Sequence, residues 1–161
     1  MKKHLLSIIL VLSMVFILTG CNNKEEKELF SNSEFTIICT TEKDESFGFE
    51  NQDVITYAFD KYQYAVGYSV VTTQKFNNKD TYNEYKKAQI ESSKDKSNKN
   101  ISYDLKADDK KLTLVFTMTI KNFNAKTEEE KNELKASTIL KSNEEKNVKC
   151  TLKGIKRSEL K

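Results

Sequence analysis

The chain contains no proline and no tryptophan, only four glycines, one histidine and three cysteines. Without proline and with so little glycine, collagen-like repeats and Pro-rich or Gly-rich linkers are excluded. The single histidine is His4, inside an apolar N-terminal segment. If that segment is removed, no imidazole remains. Serine–histidine and cysteine–histidine catalysis then fall away, as do histidine metal sites. There is no Cys-x-x-Cys, no EF-hand spacing and no phosphate-cradling glycine loop.

What is present begins with that segment. Lys2 and Lys3 precede the run LLSIILVLSMVFIL at 5–18, broken only by Ser7 and Ser13. A spanning helix needs roughly 20 apolar residues, so the run suits a signal-peptide core better. It closes on Leu18-Thr19-Gly20-Cys21. This tetrad resembles the lipobox of bacterial lipoproteins, in which the cysteine is acylated and becomes the first mature residue. The plain alternative is a secretory leader with a chance cysteine. Acyl chains in pairs hold a protein stably on a bilayer. The expected address is the cell membrane, lipid-anchored through Cys21 on its extracytoplasmic face.

Cutting before Cys21 leaves 21–161, the size of one domain. The net charge falls from +3 to about +1 as Lys2 and Lys3 leave. So even a balance gives no basic stripe for a nucleic acid to recognise, and no nucleic-acid partner is expected.

Residues 21–33 are polar and charged and read as a tether, with one domain following over 34–161. Strands are expected at 35–40, 54–59 and 66–76, with 44–52 a loop and 60–64 a turn. Ile55, Tyr57 and Phe59 share one face of the second strand. In the third, Tyr68, Val70 and Thr72 alternate with Gly67, Ser69 and Val71, leaving open which face is buried. A helix follows over 78–93, capped by Asn78 or Asp80, with Tyr82 and Tyr85 inward.

A fourth strand covers 101–105 and a turn 107–110. Leu112, Leu114, Phe116, Met118 and Ile120 then form the cleanest alternating stripe, opposite Thr113, Val115, Thr117 and Thr119, and mark the expected central strand. Thr127 and Glu130 have capping-box spacing and start a helix to about 141, with Leu134 and Ile139 inward. A short last strand is expected at 148–152, then a basic tail. The order β-β-β-α-β-β-α-β implies an α+β fold: a single antiparallel sheet with two helices packed on one face.

Cys39 and Cys150 sit in the first and last strands. In an oxidising compartment they are expected to form a disulfide. Two buried free thiols are the alternative, and a redox or nucleophilic role a lesser one. Asp108-Asp109 and Glu128-Glu129-Glu130 read as a turn and a helix start rather than as paired catalytic or calcium-binding carboxylates. The lysines of 92–100 and of the tail read as solvated faces, and the seven tyrosines as packing residues.

The stretches DVITYAFDKYQYAVGYSVVTTQKF, NNKDTYNEYKKAQIE and ISYDLKADDKKLTLVFTMTI carry a further likeness. Their order resembles that of the YehR-like family of small bacterial lipoproteins, over about 53–135. In that family a lipobox leader and tether precede strands around a Tyr-x-x-Asp turn, a helix near a Lys-Asp/Glu pair, a hairpin and a C-terminal helix. The Cys39 and Cys150 pair and the tail from Asn143 depart from the pattern. The resemblance implies a fold and an address but no reaction.

The expectation is therefore a non-catalytic, membrane-anchored binding domain of unknown ligand, with no cofactor, no metal site and no catalytic residues. The competing expectations are a thiol-dependent or hydrolytic envelope enzyme, and a transporter's binding component, for which the single small domain is a poor fit.

Overall fold

The computed structural model describes residues 24–93, 97–123 and 125–161. Its elements are α1 (Lys24–Ser31), β1 (Phe35–Thr40), β2 (Phe49–Phe59), β3 (Ala65–Phe76), α2 (Lys79–Ser93), β4 (Ile101–Asp108), β5 (Thr113–Lys121), α3 (Glu128–Glu133), α4 (Ala136–Glu145), β6 (Lys149–Lys153) and a 3-10 turn at Arg157–Glu159. The fold is α+β. Six strands form one antiparallel sheet in the order β4-β5-β3-β2-β1-β6.

Cross-strand partners share a face, so the register divides the sheet into two. One face is apolar: Phe35, Ile37 and Cys39 of β1, Ile55, Tyr57 and Phe59 of β2, Tyr68, Val70 and Phe76 of β3, Leu114, Phe116, Met118 and Ile120 of β5. The other is rich in hydroxyls: Thr36, Thr40, Thr56, Ser69, Thr73, Thr117 and Thr119.

Two helices cover the apolar face, at opposite ends. Below α2, Tyr82 packs with Phe49, Phe76 and Leu114. Below α4, Ala136 and Leu140 pack with Phe35, Ile37, Cys39 and Phe59. Asn78 starts α2, its Oδ1 accepting from the Asp80 and Thr81 amides at 2.7 and 3.1 Å. Thr127 and Glu130 make the expected reciprocal cap of α3. Asp108 Oδ1 accepts from the Lys110 and Lys111 amides, closing the β4–β5 turn.

Four expectations need correction. The segment read as a tether contains α1, and its Leu29 is buried against the hydroxyl-rich face. Eight residues, most of them charged or apolar helix formers, are enough once a sheet supplies the docking surface. The loop expected over 44–52 gives way to β2 at Phe49, because Phe49, Asn51 and Asp53 pair with Phe76, Gln74 and Thr72 of β3. Pairing with a long neighbour overrides the weak strand preference of Glu, Asn and Asp.

The C-terminal helix is two helices, not one. At the break, the Leu134 carbonyl accepts from the Ala65 amide and the Ala136 amide donates to the Gln63 carbonyl. These bonds to the β2–β3 turn replace helical ones and set Ala136 in the core. Finally, β5 is not central: β3 and β2 are, and β5 lies one strand from the edge. Its apolar stripe is buried only at Leu114. Phe116, Met118 and Ile120 are half-buried, while Thr117 and Thr119 behind them are fully enclosed.

Candidate functional surface

The two cores do not meet. Between them on the apolar face lie Ile55, Val70, Phe116, Met118 and Ile120, half-buried and belonging to neither. Neither α2 nor α4 covers this middle ground. Apolar side chains left partly accessible together on one sheet face form the kind of patch that a binding partner covers.

An aromatic row borders the floor toward α4. Tyr57 and Tyr68 stand with ring centroids 5.8 Å apart, and Tyr68 and Phe123 are 5.6 Å apart. Burial, with Tyr57 and Tyr103 nearby, raises the Tyr68 pKa, so its hydroxyl stays protonated and available to donate. Beyond Phe123 an open cleft of about 720 Å³ is lined by Val66, Lys99, Asn100, Asn122 and Phe123. Here Asn122 Nδ2 donates to Asn100 Oδ1 at 3.2 Å. One cationic and two amide side chains thus stand at the end of an aromatic row.

Toward α2 the floor turns polar. Thr72 Oγ1 donates to Asp53 Oδ1 at 2.6 Å. Beside them Gln74 is buried, and its Oε1 accepts no hydrogen bond among the described residues. A buried acceptor without a donor costs about 1–3 kcal/mol, so a group bringing an N–H or O–H there gains what the fold forgoes.

The cysteines lie at the far margin. Cys39 and Cys150 are directly opposed on β1 and β6 and form a disulfide, S–S 2.06 Å. Cys39 is fully buried in the core beneath α4. The bond staples the edge strand to the sheet. Cys21 lies outside the described residues.

The acidic pairs singled out in the sequence have structural partners. Asp109 accepts from the Tyr82 hydroxyl and from Lys86 Nζ, tying α2 to the β4–β5 hairpin. These donors hold the Asp109 carboxyl below its usual range. Among the described residues no three His, Cys, Asp or Glu side chains gather as a metal site, and no helix is long and apolar enough to cross a membrane.

Sequence reasoning identified Ile55, Tyr57, Tyr68, Val70, Met118 and Ile120 as strand residues but assigned them to packing. One signal was available: a period-2 stripe as long as that of 112–120 exceeds what two short helices can shield. No family description, curated protein or solved structure matches the chain.

Proposed function

We propose that this is a lipid-anchored domain at the extracytoplasmic face of the cell membrane that binds an amphipathic ligand without transforming it. The address rests on Leu18-Thr19-Gly20-Cys21 behind its apolar run, and accords with the likeness to the YehR-like lipoproteins. The binding role rests on one observation: the half-buried floor of Ile55, Val70 and Met118 between two separate cores. The fitting ligand has an apolar or aromatic body to lie along Tyr57, Tyr68 and Phe123. Its anionic or acceptor head meets Lys99, Asn100 and Asn122.

The enzymatic alternative has little to work with. Cys39 is enclosed and bonded to Cys150, so neither sulfur is a thiolate nucleophile while the bond stands. The residues after the leader include no histidine to activate a serine.

Two measurements test the proposal. Labelled palmitate should enter the protein in a bacterial host and be lost in Cys21→Ser; equal labelling of both overturns the anchor. An anilinonaphthalene sulfonate dye, an aromatic body with an anionic head, should bind the folded domain saturably. Met118→Glu and, independently, Lys99→Glu should each weaken it severalfold with the melting temperature nearly kept. Binding unchanged in both variants overturns the surface.

A further inference from the structure

The position of α1 says which side of the sheet meets the membrane. Lys24, the first residue of α1, stands three residues after Cys21. Extended chain covers at most about 3.6 Å per residue, so an acylated sulfur sits within roughly 11 Å of the helix start. The domain is therefore held close to the bilayer rather than swung on a long leash.

That helix lies on the hydroxyl-rich face. Leu29 covers Gly67, Ser69 Oγ donates to Glu26 Oε1 at 3.0 Å, and Lys121 Nζ stands 3.7 Å from Glu28. The chain thus reaches the anchor from this face, opposite the open apolar one. α1 contacts β3 and β5, leaving the β2, β1 and β6 part of the same face without a helix among the described residues. Its side chains are Thr36, Ile38, Thr40, Val54, Thr56 and Thr151, flanked by Lys149 and Lys153.

Lys149 and Lys153 are exposed on this face of the edge strand, and neither forms an ion pair among the described residues. Lysines on an edge strand also discourage strand-to-strand association. Here they border a row of hydroxyl donors on the side from which the anchor leaves. Headgroup phosphates accept from hydroxyls and attract ammonium groups, which matches both features.

We propose that the β2–β1–β6 part of the hydroxyl-rich face rests on the anionic headgroups of the bilayer, so that the apolar floor opens away from the membrane. This rests on the anchor reading of Cys21, and the test separates the two. The chain from Cys21 onward, its other two cysteines bonded, is coupled through that one free thiol to a maleimide lipid. Coupling supplies the anchor whether or not a cell acylates the residue. Lysine acylation is then mapped by mass spectrometry on vesicles containing phosphatidylglycerol and in detergent.

Lys149 and Lys153 should react more slowly on the vesicles by roughly fivefold, the factor equivalent to about 1 kcal/mol per lysine at an anionic surface. Lys86 and Lys87 of α2, on the other side, should be unaffected. Equal reactivity of Lys149 and Lys153 in both settings, the outcome if they only guard the edge, overturns the proposal. So does selective protection of Lys86 and Lys87. Failure of palmitate labelling would instead sink the anchor alone.

Discussion

Leu29 reaches Gly67 so closely that a Cβ on the glycine would stand 2.9 Å from Leu29 Cδ1 and 2.3 Å from the Ile120 carbonyl oxygen. The leucine end can move; the carbonyl belongs to a central ladder and cannot move cheaply. Gly67→Ala should therefore lower stability by about 1–3 kcal/mol, as overpacking of a tight interior does. Urea unfolding measures it, and amide exchange of α1 should quicken in the variant. Wild-type stability in Gly67→Ala would mean that β3 and β5 do not approach as closely at this glycine as described.

The Cys39–Cys150 bond closes a sequence separation of 111 residues. Reduction, or the pair Cys39→Ala and Cys150→Ala, should cost about 2–5 kcal/mol, since the unfolded chain regains the freedom the bond removed. The urea midpoint with and without reductant reads this. Alkylation of the native protein without reductant should label neither cysteine, and only Cys21 where it is unacylated.

Burial, and then the Asp109 carboxylate that accepts its hydroxyl hydrogen, push the Tyr82 pKa up to about 12 from 10.0. A raised pKa favours the protonated form in the folded state. Its contribution is whole below pH 10 and is lost as pH climbs toward 12. Tyr82→Phe should be less stable at pH 7 for want of the hydrogen bond. It should also lose less stability than the parent across that alkaline window, lysine titration being common to both. Parallel stability profiles would refute the assignment.

Burial raises the Glu26 pKa above 4.5, opposed by the Ser69 hydrogen bond, with Lys106 lowering and Asp104 raising it less. As with Tyr82, folding favours the protonated form, so the contribution is full below pH 4.5 and lost as pH rises through the folded value. Docking of α1 should thus tighten in acid. Glu26→Gln keeps a partner for Ser69 without charge, so it should be at least as stable as the parent at pH 7 and vary less in acid. Amide exchange over α1 at pH 4 and 7 checks it; looser docking in Glu26→Gln at pH 7 would count against it.

Much of the sheet was legible from local pattern. The alternation of 35–40, 66–76 and 112–120 located strands that the structure contains, and the Thr127 and Glu130 spacing located the start of α3. The bond between Cys39 and Cys150 was one of the readings open in the sequence, and the pairing of β1 with β6 that opposes them is seen only in the structure. Less legible was anything set by a distant partner. Phe49 extends β2 because Phe76 lies opposite, and Ala136 breaks a helix because the Gln63 carbonyl accepts its amide.

Composition and periodicity alone determined the class of fold, because it depends on residue type and near neighbours. Which faces are covered was decided only by the tertiary structure. Period 2 shows that Thr117 and Met118 point opposite ways, but not that the threonine would be enclosed while the methionine stays half-buried. Burial is set by what packs above a strand, and the helices that do so come from parts of the chain far from β5 in sequence.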